Sequence, residues 1–168
     1  MEPQPPQRPE TPTEPSEEAA IAVALAAVSA DQWDELWVAV DAVTAEESHA
    51  TWAGGHVVDT TIVDGVERPV IQMAYPMYSA PIERLLELIG ELGLVVPFDW
   101  MSWDGLDRYR AGERLADAPV ADAVRMITAI VRSERFCDGA IESAWRDGTF
   151  PAALARLRAR STLDFTQG

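Results

Sequence analysis

Three stretches of this chain repeat their apolar residues with the period of an α-helix, and no other feature constrains the fold as strongly. Trp33, Leu36, Trp37 and Val40 fall at i, i+3, i+4 and i+7. Ile82, Leu85, Leu86, Ile89 and Leu92 form a second stripe, and Val120, Val124, Ile127 and Val131 a third. On a helix such residues share one face, which must be buried against another element. Start and stop signals frame these stripes. Ser16 stands before Glu17 and Glu18, whose carboxylates suit the positive end of a helix dipole. Ser29-Ala30-Asp31-Gln32 has the form of a capping box. Ser79 precedes the second stripe and Gly93 follows it. A shorter helix is expected to carry Phe136, Ala140, Ile141, Ala144 and Trp145. Thr149 and Pro151 open a last one, with Leu154 and Leu157 inward and Arg156, Arg158 and Arg160 outward.

From Trp52 to Tyr75 the period changes. Gly54-Gly55 interrupts any helix. Val58, Thr60 and Ile62 alternate with polar or smaller neighbours, and Asp64-Gly65 is a hairpin turn signal. Val70, Ile71 and Met73 supply a return strand, with Pro69 confined to an edge because it has no N–H. Leu94-Val95-Val96 is a candidate extra strand. The expected fold class is α+β: a mainly helical single domain packed on a small antiparallel sheet of two or three strands. The domain should span residues 16–160. Residues 1–15 hold six prolines and read as a disordered Pro/Glu-rich tail. Residues 161–168 read as a frayed C-terminus.

At 168 residues the chain is long enough for one domain with a real core. Its net charge of −15 is unevenly placed. Residues 1–67 hold 14 acids and one arginine, whereas residues 68–168 hold 14 acids and 12 arginines. Such acidity repels phosphates, so direct nucleic-acid binding is not expected. All 13 basic residues are arginine, for which codon composition is the ordinary explanation. One cysteine makes no internal disulfide, the start Met1-Glu2-Pro3-Gln4-Pro5 lacks the basic segment of a secretory signal, and no apolar run is long enough to span a bilayer. A cytoplasmic protein without a membrane partner is the expectation.

Chemistry is concentrated in Arg132-Ser133-Glu134-Arg135-Phe136-Cys137-Asp138-Gly139, directly after the third stripe. Arg125, Thr128, Arg132 and Arg135 recur at spacings of 3, 4 and 3, on one helical face. Arg132, Arg135 and Asp138 are candidate ligand-binding residues, because guanidinium pairs grip carboxylates and phosphates. A partly buried ion-pair network joining two helices is the preferred structural reading of the same residues. Pro97-Phe98-Asp99-Trp100-Met101-Ser102-Trp103 could wall the same cleft, with Trp100 and Tyr78 as further binding candidates. Asp99 and Glu134 are the candidate proton-handling groups, although Asp99 could equally fix a turn. Cys137 has no base at a telling spacing and is expected to be a small buried core residue. One cysteine and two histidines form no zinc pattern, so no metal and no cofactor are expected. No phosphate-cradling loop or nucleophile elbow is present.

Tyr75-Pro76-Met77-Tyr78, Pro97-Phe98-Asp99-Trp100 and the Arg132–Gly139 segment together resemble a family of small bacterial proteins that share an uncharacterised domain. The resemblance runs from about Trp33 to Leu157. It implies an α+β domain and a bacterial origin, and no established activity. The leading functional expectation is a non-enzymatic binding or regulatory module with an unidentified protein partner. The alternative is a small-anion-binding domain or enzyme built on Arg132 and Arg135. A second alternative is an acidic mimic of DNA, which needs the acids of 31–47 and 83–91 in one continuous strip.

Overall fold

Ser16, Ser29 and Ser79 each begin a helix. In the computed structural model, which describes residues 16–166 and side chains through Ser161, Ser16 Oγ accepts the Ala19 N–H at the head of α1 (Glu17–Ala27). Ser29 and Gln32 complete the capping box of α2 (Ala30–Thr44), with the Ser29 N–H donating to Gln32 Oε1 at 2.9 Å. Ser79 Oγ accepts the Ile82 N–H at the head of α3 (Ala80–Glu91). After Leu92 the Leu94 N–H reaches back to the Ile89 carbonyl, closing α3. A single turn, α4 (Gly105–Arg108), leads through two tight turns to α5 (Val120–Ser133), α6 (Ala140–Arg146) and α7 (Thr149–Thr166). The last helix therefore continues past residue 160, where fraying was expected. The tail expected over residues 1–15 lies outside the described residues. No helix among the described residues is long and apolar enough to cross a membrane.

α5 is the central helix. Ala123, Val124, Met126, Ile127, Ala129 and Ile130 are all buried, because α7, α6, α4 and α1 pack around it. α2 and α3 form a second packed pair, with Trp33 and Trp37 stacked at 5.4 Å between ring centroids. Leu94, Val95 and Val96 do not form a strand. Thr128, fully buried on α5, accepts the Val96 N–H at 3.0 Å and donates to the Leu94 carbonyl at 3.1 Å. One hydroxyl thus satisfies the backbone groups that a neighbouring strand would otherwise take. Asp122, also buried, accepts from Tyr109 Oη at 2.6 Å and from Arg125 at 2.7 Å. Arg125 reaches on to Glu17, so it braces α1 against α5.

The β-structure is longer and barer than expected. β2 (Val57–Val63) and β3 (Val66–Ile71) are the hairpin, turning through Asp64 and Gly65 with φ of 54° and 76°. β1 (Ala50–Ala53) pairs with β4 (Tyr75–Tyr78). The Gly55 N–H donates to Gln72 O at 2.7 Å and the Gln72 N–H to His56 O at 3.0 Å, linking the two ladders. The four strands are thus one two-stranded ribbon in two short sheets. Its base is tied down: the Ser79 N–H bonds His49 O, Ser79 Oγ bonds Glu46, and Trp52 Nε1 donates to Glu142 at 2.9 Å. Every residue of β2 and β3 is exposed, so only the β1–β4 end of the ribbon meets the helical body.

Candidate functional site

α5 ends beside the chain that follows Pro97, and the two segments singled out in the sequence converge there. Val95, Trp100, Val131, Arg132, Arg135 and Phe136 line an open cleft of about 460 Å³. The Trp100 and Phe136 rings lie 6.0 Å apart, tilted by 37°. Arg132 is half-buried and Arg135 exposed. Among the described residues neither makes an ion pair, in contrast to Arg84, Arg108, Arg110, Arg125, Arg146 and Arg158. The expected ion-pair network is therefore not what these two arginines form.

The physical reason lies in the acids of the same segment. Glu134 follows the last turn of α5, and its carboxylate accepts the Gly139 N–H at 2.8 Å and the Ile141 N–H at 2.9 Å. Those amides open α6 and have no partner within the helix, so a charged acceptor is best used there. Gly139 turns the chain with φ of +84°. A Cβ at that position would come within 2.7 Å of the Trp52 ring, which packs directly over it. Glu134 and Gly139 thus join α5, α6 and the base of the ribbon, while Arg132, Arg135 and Phe136 are left facing outward.

The remaining candidates are dispersed. Asp138 is exposed and lines a different, larger cleft of about 560 Å³ with Cys137, Ser133, Ser143, Asp147 and Arg110. Cys137 is exposed rather than buried, in the loop between α5 and α6. No histidine lines its cleft. Asp99 is exposed and accepts from Ser102 Oγ, the contact of a turn-fixing carboxylate. Tyr78 lies at the foot of the ribbon near Glu134, not on either cleft. Its hydroxyl is buried beside the Glu134 carboxylate but makes no hydrogen bond of good geometry to a protein group, and burial, followed by that carboxylate, pushes the phenol above its ordinary range. Among the described residues no group of three or more histidine, cysteine or acidic side chains is disposed to hold a metal ion.

Phe136 and Val95 are cleft residues that sequence reasoning assigned elsewhere, to a helix core and to a strand. Phe136 instead leaves 77% of its surface exposed. The available signal was its place just after the last turn of α5 and three residues before a glycine.

A family profile matches residues 28–162, from the start of α2 into α7. The chain belongs to this family of unknown function, DUF6508. No curated protein and no solved structure matches the chain significantly. The DUF6508 span includes the whole ribbon and both walls of the arginine cleft. It leaves out α1, whose Glu17 pairs with Arg125.

Proposed function

We propose that this DUF6508 domain is a non-enzymatic binding module for a small organic anion, held between Trp100 and the end of α5. The observation that carries this reading is that Arg132 and Arg135 face an open cleft with no ionic partner among the described residues. The chain has 28 acids to 13 arginines, so unpaired guanidinium groups are not explained by a shortage of carboxylates. A guanidinium is a rigid fork of donors that binds carboxylate and phosphate oxygens in pairs. Trp100 and Phe136 offer flat apolar surface beside it, on which an aromatic ring or a guanidinium plane stacks. The ligand class is therefore a carboxylate or phosphate attached to a flat apolar body. Asp99 and Glu134 are both occupied by other contacts, which favours binding over proton transfer.

The test is thermal unfolding of the full chain with inorganic phosphate, nucleotides and aromatic or aliphatic carboxylates, alongside Arg132→Ala and Arg135→Ala. Both side chains reach solvent, so the variants should fold. A true ligand at 100 times its Kd stabilises the wild type by roughly 2.7 kcal/mol. That gain should be lost in both variants. A gain of equal size in the variants, or none with any compound, would reject the cleft as an anion site.

A further inference from the structure

Eleven of the large apolar side chains that the described residues leave exposed lie between Trp52 and Met77, all on the ribbon. Four of them, Val57, Val58, Ile62 and Val63, belong to β2. We infer that the outer edge of β2 pairs with the same edge of a second copy of this chain, giving a closed twofold dimer with a four-stranded sheet.

The hydrogen-bond pattern of the ribbon selects that edge. A two-residue turn makes Val63 and Val66 a hydrogen-bonded pair, and the pattern alternates from there. Thr61 with Arg68 and Asp59 with Val70 are then bonded pairs. Ile62 with Glu67 and Thr60 with Pro69 are not, and the backbone groups of those four residues face outward. On β3 the central outward position is Pro69, which has no N–H to give. That edge is closed to a further strand. On β2 the central outward donor is the Thr60 N–H, held in the single chain only by the neighbouring Asp59 Oδ1 at 2.8 Å.

The β2 sequence is self-complementary about that residue. With Thr60 opposite Thr60 of the second copy, Asp59 meets Thr61, while Val58 sits at the bulge between Val57 and Asp59 that ends the regular stretch of β2. The two Thr60 side chains then face one another, and no carboxylate faces a carboxylate. Thr61 of the second copy offers Asp59 a hydroxyl in exchange for the amide it releases. The charge pattern agrees. Residues 50–78 hold three acids and one arginine, net −2 of the chain's −15, so two ribbons meet with little mutual repulsion. Because only one edge of each ribbon is open, pairing stops at two copies and does not grow into a filament. The sequence of residues 1–15 is poorly suited to add a strand, since its six prolines cannot supply a row of donors.

The full chain should sediment, and scatter light after size exclusion, at twice its 18.4 kDa mass. Thr60→Pro removes the outward donor and leaves the hairpin ladder intact, so this variant should run at the mass of one chain with an unchanged helical circular dichroism spectrum. Thr60→Cys in a Cys137→Ser background should cross-link to a dimer when an oxidant is added, whereas Glu67→Cys on the closed edge should not. A wild-type chain that stays at single mass over the whole accessible concentration range overturns the inference. So does a dimer that survives Thr60→Pro and shows no cross-link at Thr60, which would mean that the copies meet elsewhere.

Discussion

Tyr78 and Tyr109 show how much a neighbour changes the worth of one hydroxyl. Tyr109 is buried and donates to Asp122 at 2.6 Å. The Tyr78 hydroxyl is buried with no hydrogen bond of good geometry to a protein group. A buried O–H that has lost water without gaining a partner is a net cost. Tyr78→Phe should therefore leave stability unchanged or raise it by about 1 kcal/mol, measured by urea unfolding at pH 7. A loss larger than that would mean the hydroxyl is bonded after all. The two phenols also set an alkaline limit. In both, burial is the larger cause and a nearby carboxylate the second, and both push the pKa upward. A raised pKa means that the folded state prefers the proton. The resulting stability is fully present below the ordinary tyrosine pKa of about 10 and is lost as pH rises past it. Unfolding at pH 8 and pH 11 should show that loss in the wild type, and a smaller loss in Tyr78→Phe. An identical loss in the two proteins would show that Tyr78 contributes nothing to the limit.

The loop between α5 and α6 is short because each end is tied. Glu134 holds the amides that open α6, and Gly139 supplies a backbone conformation that side chains resist. Trp52 then covers Gly139 and bonds Glu142, fastening the base of the ribbon to α6. Gly139→Ala carries two costs. The left-handed conformation costs about 1–2 kcal/mol, and the new methyl overlaps the Trp52 ring. Only the second depends on the tryptophan. In a Trp52→Ala background the penalty of Gly139→Ala should shrink by about 1 kcal/mol, read as the coupling of a double-mutant cycle. Additive penalties would show that the ring moves aside freely. A further consequence is that the cleft is built on the rim of a braced loop, so Arg132 and Arg135 project from a fixed base.

Over the whole molecule, charge and apolar surface are kept apart. The acidic residues crowd α1, α2 and α3, where Arg84 bridges Glu35 on α2 to Glu87 and Glu91 on α3. That guanidinium stands in the middle of the strip a DNA mimic would need, which leaves the mimic reading without a continuous acidic face. The ribbon carries exposed apolar groups and little charge, and its outer half leans on no helix. Replacing residues 57–71 by Asn-Gly, between the hydrogen-bonded His56 and Gln72, should therefore leave the helical spectrum intact and shift Tm by only a few degrees. Loss of the helical signal would show that the hairpin supports the body.

Helix positions were legible because their signals are local. A serine three residues before a free N–H, and an apolar residue every three or four, need no distant partner to be read. Ser16, Ser29, Ser79, the Trp33–Val40 stripe and the Asp64-Gly65 turn all have the roles the sequence indicates. The α+β class follows from them. Contacts across the chain decided the rest. Leu94–Val96 has the composition of a strand, but Thr128, more than 30 residues away, satisfies its backbone. Arg125 and Arg135 share a helical spacing, yet one meets Asp122 and Glu17 and the other meets no acid among the described residues, because Glu134 turns to the amides of α6. Periodicity specifies which face of an element is apolar. Whether that face is covered, and which charges meet, depends on where the other elements come to rest.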